Sequence, residues 1–119
     1  MKADNPVREK SYAFALRIVK LQRHLSRKEN EFVLSKQLLR SGTSIGANIE
    51  EAIGAQSDKD FQAKMSIAYK ETRETLYWLR LLRDAEIITP HQAKSLISDC
   101  EKLLKLTGSI IKTLKQKNS

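Results

Sequence analysis

A chain of 119 residues with four Gly, two Pro, 40% apolar and 6% aromatic side chains has helical-bundle composition, too poor in turn residues for an all-β fold and too apolar for disorder. No run approaches the 18 or more apolar residues of a membrane span, MKADNPVREKSY lacks the apolar core of a signal peptide, and one cysteine, Cys100, permits neither an internal disulfide nor a cysteine-based metal cluster. The net charge is +8, concentrated at the chain ends: +5 over residues 1–30, −1 over 31–56, 0 over 57–88 and +4 over 89–119.

The first helix is expected over about 5–26. Asn5 serves as N-cap, Pro6 stands where a missing N–H costs nothing, and Val7, Phe14, Ile18, Leu21 and Leu25 repeat at helical spacing. SRKENE breaks the pattern. A second helix follows over about 31–54, with Leu34, Leu38, Ile45, Ile49 and Ala52 on one stripe and Gly54 as a stop. Its interior Gly42 and Gly46 each cost about 1 kcal/mol relative to Ala, which points to a close helix–helix approach within or between protomers. The third helix, about 57–86, opens on Ser57 with Asp60 three residues on, and buries Phe61, Met65, Ala68, Thr72, Leu76, Leu79 and Leu82. The fourth, about 89–116, opens on Thr89-Pro90-His91-Gln92. It carries a seam of Ala93, Leu96, Ile97, Cys100, Leu103, Leu104, Thr107, Ile110, Ile111 and Leu114, and KQKNS is a frayed tail. Short connections between long helices imply one domain, 1–119, an all-α antiparallel up-down-up-down four-helix bundle.

Two helices carry apolar residues beyond the single stripe a bundle requires. Tyr12, Leu16 and Val19 lie nearly opposite the first helix's core stripe; Ile67, Trp78 and Leu81 form a second face on the third, with Glu71 and Glu74 among them. Scattered exposed apolar residues are ordinary, but two separate helically spaced stripes point to homo-oligomerisation. If the stripe on the first helix meets that on the third helix of a neighbour, the contact is heterologous and should close into a ring.

Lys10, Arg17, Lys20, Arg27 and Lys28 share an outer strip of the first helix, and Lys94, Lys102, Lys105 and Lys112 one on the fourth. First and last helices are neighbours in such a bundle, so the strips merge into one expected cationic face. Such faces are also ordinary solvated surface. The scarcity of acids on the strips and a pI near 9.7 favour phosphate-backbone binding, of RNA or DNA, by shape rather than sequence. No aromatic stacking platform is evident among these lysines.

Catalytic chemistry finds little to stand on. His24 and His91 lie on different helices without metal-ligand spacing, Glu50-Glu51 and Glu71/Glu74 lack the Glu-x-x-His pairs of di-iron bundles, and Ser41 and Ser44 lack a base. The expectation is a cytoplasmic, non-enzymatic protein without cofactor or metal.

The stretch RSGTSIGANIEEA (Arg40 to Ala52) followed by AQSDKDFQAKMSIAYKETRETLYWLRLL (Ala55 to Leu82) resembles the bacterial family of 23S ribosomal RNA intervening-sequence proteins. The match is to its branch reading SIGANI-x-EA, S-x-x-DF, IA-x-KE-x-x-ET and YWL-x-LL. The pattern falls on Arg40, Ser44, Ile45, Asn48, Ile49, Glu51, Ser57, Phe61, Ala68, Glu71, Glu74, Trp78 and Leu79; Ala52 stands where many relatives have Gly. The resemblance implies an antiparallel four-helix bundle assembling into a homopentamer. It also implies kinship with the accessory variability-determinant proteins of diversity-generating retroelements, which bind nucleic acid and a reverse transcriptase. It supplies no catalytic residues. The functional expectation is an oligomeric nucleic-acid-associated protein, with a protein-interaction scaffold as the alternative.

Overall fold

The computed structural model describes residues 5–117, and within them the fold is all-α: α1 (Pro6–Arg27), α2 (Val33–Ile53), α3 (Asp58–Asp84) and α4 (Pro90–Lys117). Each helix end follows from local chemistry. Asn5 Oδ1 accepts from the backbone N–H groups of Val7 (3.1 Å) and Arg8 (3.3 Å), and Pro6 occupies the first turn. Ser57 Oγ accepts from Asp60 N at 3.0 Å. Thr89 and Gln92 form a reciprocal capping box, Gln92 N to Thr89 Oγ1 at 3.1 Å and Thr89 N to Gln92 Oε1 at 2.9 Å.

Two ends differ from expectation. Glu31 lies outside α2 rather than in its first turn: its carboxylate accepts from Leu34 N (2.7 Å) and Ser35 N (3.1 Å), doing from one residue further out what the Phe32 side chain at the N-cap cannot. The frayed tail expected from Lys115 is helical through Lys117, and Asn118 and Ser119 lie outside the described residues.

The helices pack in a cycle, α1 on α2, α2 on α3, α3 on α4 and α4 on α1, with no packing across the diagonals and the α1–α4 seam the sparsest. Along three of the seams the partner's number falls as the residue number rises. Arg8 meets Glu50 while Ile18 meets Gly42; Arg40 meets Glu71 and Glu74 while Glu51 meets Lys64; Tyr69 meets Gly108 while Thr72 meets Cys100. The resulting body measures 47 × 24 × 21 Å.

The core is one continuous cluster, with Ile18, Leu25, Leu38, Ile45, Ile49, Met65, Ala68, Leu79, Leu82 and Cys100 fully buried. Buried hydroxyls at Ser35, Thr72 and Thr107 bond back to carbonyls one turn earlier, and Thr75 Oγ1 lies 2.9 Å from Ser41 Oγ across the α2–α3 seam. No buried side-chain nitrogen or oxygen among the described residues lacks a partner. On α3 the inner face includes Thr75, while Phe61 and Leu76, expected inside, are only half-buried.

Gly42 and Gly46 both face α1 within the protomer, and Gly42 is the one the approach of α1 to α2 requires. A Cβ on Gly42 would lie 2.9 Å from Ile18 Cγ2, whereas one on Gly46 would sit 3.4 Å from Ser11 Oγ. The first is a collision and the second an ordinary contact.

Candidate nucleic-acid and assembly surfaces

The basic residues nominated from the sequence divide into two groups. Lys10, Lys20, Arg27, Lys28, Lys94, Lys102, Lys105 and Lys112 are all exposed, and none of these eight is in an ion pair among the described residues. Arg17 differs. Its Nη1 donates to Asp99 Oδ2 at 2.6 Å and its Nη2 to Ser95 Oγ at 3.0 Å, pinning it across the α1–α4 seam. Arg17 is therefore a strut between two helices.

Lys20 of α1 lines a shallow groove with Gln92 and Leu96 of α4, but the α4 lysines are not all on that side. α4 meets α1 through Ser95 and Asp99, whereas Lys112 lines a groove with Ser66, Tyr69 and Lys70 of α3. Lys94 and Lys105 share Lys112's side of the helix, lying 18 and 7 residues before it, close to whole numbers of turns. Lys94, Lys105 and Lys112 thus share the side of α4 that turns toward α3, together with Glu101, while Lys102 lies about 60–80° round the helix on the Ser95 side.

Two acids of α3, Glu71 and Glu74, sit on its other side. Arg40 of α2 donates to Glu71 Oε2 at 3.3 Å and makes a close charge-assisted bond to Glu74, whose Oε2 also accepts from Trp78 Nε1–H at 2.9 Å. The indole N–H, together with the Arg40 guanidinium, holds the Glu74 carboxyl below the ordinary carboxylate range against a smaller opposing effect of burial. Glu74 in turn raises the Arg40 guanidinium. Glu71 and Glu74, nominated as contacts to a neighbouring copy, are engaged within the chain. With those acids facing α2, the α4 side of α3 is left to Lys70 and Arg73; the Arg73 guanidinium lies 6.0 Å over the Tyr69 ring, and its Nη1 donates to the Tyr69 hydroxyl at 3.4 Å. This basic contribution was hidden in the sequence because residues 57–88 have no net charge.

Of the other nominated assembly residues, Tyr12 (68% exposed), Leu16 (47%), Ile67 (38%) and Leu81 (36%) face outward, while Val19 and Trp78 are half-buried. The sequence reading missed Tyr77, 55% exposed and packed edge-on against Trp78 with ring centroids 5.0 Å apart. It also missed Phe32 and Val33 at the α1–α2 turn, exposed at 59% and 74%. Large apolar residues outside the core phase were the available signal.

Cys100 is fully buried, and its thiol donates to Thr72 O at 3.4 Å. Burial pushes the thiol up to about 12, so it packs as a small apolar group and not as a nucleophile. Among the described residues no group of three or more His, Cys, Asp or Glu side chains is placed to hold a metal ion, and no helix is long and apolar enough to cross a membrane.

Comparison with known proteins connects this arrangement to a family. No curated protein matches the sequence. A crystal structure of a protein with unknown function from the S23 ribosomal protein family of Bacteroides thetaiotaomicron VPI-5482 is similar at 55% identity with a TM-score of 0.88, over 89% of this chain and 98% of that one. The family model for the 23S rRNA-intervening sequence protein matches residues 3–109, nearly the whole bundle, and the chain belongs to that family.

Proposed function

We propose that this protein is a non-enzymatic, oligomeric, cytoplasmic bundle of antiparallel up-down-up-down topology that associates with structured RNA or DNA through basic surface on α1 and α4. The observation that carries the reading is the set of eight exposed basic side chains, from Lys10 on α1 to Lys112 on α4, without an acidic partner among the described residues. Phosphate backbones are what such a surface binds most generally, and each phosphate neutralised adds a salt-dependent increment. The family name, with its reference to ribosomal RNA, supports the same direction.

The test is a titration of RNA and DNA binding against salt, comparing the parent with a Lys20→Glu/Lys94→Glu/Lys105→Glu/Lys112→Glu variant. Parent binding should weaken steeply with salt, by about 0.7–0.9 in log–log slope per phosphate contacted, and the variant should lose it. Binding that ignores salt or survives charge reversal removes this reading.

A second reading, an oligomeric scaffold that recruits a protein partner such as a reverse transcriptase, draws on the exposed Tyr12, Leu16, Tyr77 and Leu81. Both readings use self-assembly, and the family resemblance implies a pentamer. Light scattering at micromolar concentration should then give about five times the 13.6 kDa protomer mass. A monomer removes the assembly, and salt-independent absence of nucleic-acid binding favours the scaffold.

A further inference from the structure

The α3–α4 seam opens near the end of α4 into a groove of about 580 Å³. Its apolar surface comes from Tyr69 and Ile111, and Lys70, Lys112 and Lys115 line it without any acid. Gly108 sets its depth. A Cβ there would lie 3.2 Å from Tyr69 Cε2, so glycine lets the ring rest close against the α4 backbone. Glycine inside a helix costs stability, and the half-buried Gly108 has no heavy atom other than those of Tyr69 within 4 Å of such a Cβ. What glycine provides here is the close seat of the Tyr69 ring edge against α4. Tyr69 supplies the aromatic platform that was not evident among the lysines: it belongs to a different helix, and only packing brings it to them.

We propose that this groove holds a single-stranded stretch of nucleic acid, one base stacked on the Tyr69 face that the Arg73 guanidinium does not cover and the flanking phosphates on Lys70, Lys112 and Lys115. The proposal rests on the nucleic-acid reading above and assigns it a place and a strand state. A short aromatic floor suits one flat base, and sequence-tolerant stacking beside a cationic rim is how single strands are bound without base readout. Lys112 and Lys115 are neighbours one turn apart on α4, close enough to serve successive phosphates. Three ammonium groups and no carboxylate around so short a floor favour a polyanion over an acidic amphipathic helix.

Fluorescence anisotropy with a labelled oligouridylate and with an RNA duplex of equal length, both at low salt, tests it. Tyr69→Ala should weaken oligouridylate binding about tenfold, the loss of one base–aromatic stack. It should leave duplex binding and the salt slope unchanged, and Tyr69→Phe should bind like the parent. Lys112→Glu/Lys115→Glu, on exposed turns where unfolding does not confuse the result, should lower the salt slope of oligouridylate binding by about two phosphate contacts. If both Tyr69→Ala and the double lysine variant bind the oligouridylate as the parent does, in a salt-dependent way, the groove assignment falls and the general basic-surface reading stands. If the parent binds neither nucleic acid, both fall. Tyr69-dependent capture of an acidic amphipathic peptide without any oligonucleotide binding likewise overturns the proposal.

Discussion

Gly42→Ala and Gly46→Ala make the same chemical change one turn apart on α2, and the structure assigns them opposite effects on stability. In an unobstructed helix interior each gains about 1 kcal/mol from propensity. At residue 46 the new methyl would meet Ser11 Oγ at 3.4 Å and Ser11 O at 3.5 Å, ordinary contacts, so most of that gain is kept, about 0.5–1 kcal/mol net. At residue 42 it would lie 2.9 Å from Ile18 Cγ2 and 3.0 Å from Cγ1. Ile18 is fully buried and β-branched, so its side chain has no free rotamer to escape into and α1 must move away from α2. Overpacking of this kind costs about 1–3 kcal/mol, which exceeds the propensity gain and leaves Gly42→Ala about 1 kcal/mol less stable than the parent. Urea unfolding followed by helical circular dichroism at one fixed protein concentration measures both. With a slope of about 1–3 kcal/mol/M for a small protein, the two midpoints should separate on either side of the parent by a few tenths of molar or more. Midpoints that move in the same direction, or a Gly42→Ala variant more stable than the parent, refute the account of the α1–α2 approach.

Two other variants probe local features. Glu86 follows α3 with φ 60°, in a turn where Ile87 N reaches back to Leu82 O at 2.9 Å, the place helices usually give to glycine. Glu86→Gly should raise the thermal midpoint by a few degrees, about 1 kcal/mol, while Glu86→Ala should not; equal midpoints for the two would refute the backbone argument. Glu74, depressed chiefly by the Trp78 indole and then by Arg40, stabilises the fold above its unfolded value of 4.5, and that contribution is lost as pH falls below 4.5 through the folded value. Glu74→Gln should therefore flatten the acid limb of stability against pH. Fluorescence of Trp78, the one tryptophan, should show an acid transition in the parent that is missing in the variant; identical profiles would show that Glu74 does not carry it.

What the sequence determined by itself is the local part of this protein. Asn5-Pro6, Ser57-x-x-Asp60 and Thr89-x-x-Gln92 satisfy backbone donors within a few residues of themselves, so the starts of α1, α3 and α4 were legible from residue order alone. The apolar periods that fill the core were equally legible, because helical phase is a property of spacing. The start of α2 was harder: Glu31 reaches past Phe32 to cap the helix, and side-chain reach is not written in a pattern.

Tertiary structure decided the surfaces. Charge counted along a chain cannot say which side of a helix each group occupies. Glu71 and Glu74 cancel Lys70 and Arg73 in any tally, yet packing sends the acids to Arg40 on α2 and leaves the cations toward α4. The same limit applies to Arg17, an outward basic residue by spacing, whose partner Asp99 lies 82 positions away. It applies again to Tyr69, which joins Gly108 and the α4 lysines only because α3 and α4 lie side by side. Pairings between distant residues depend on helix–helix register, and that register is set by close contacts such as Gly42 against Ile18, where the presence of one methyl group decides how near two helices can come.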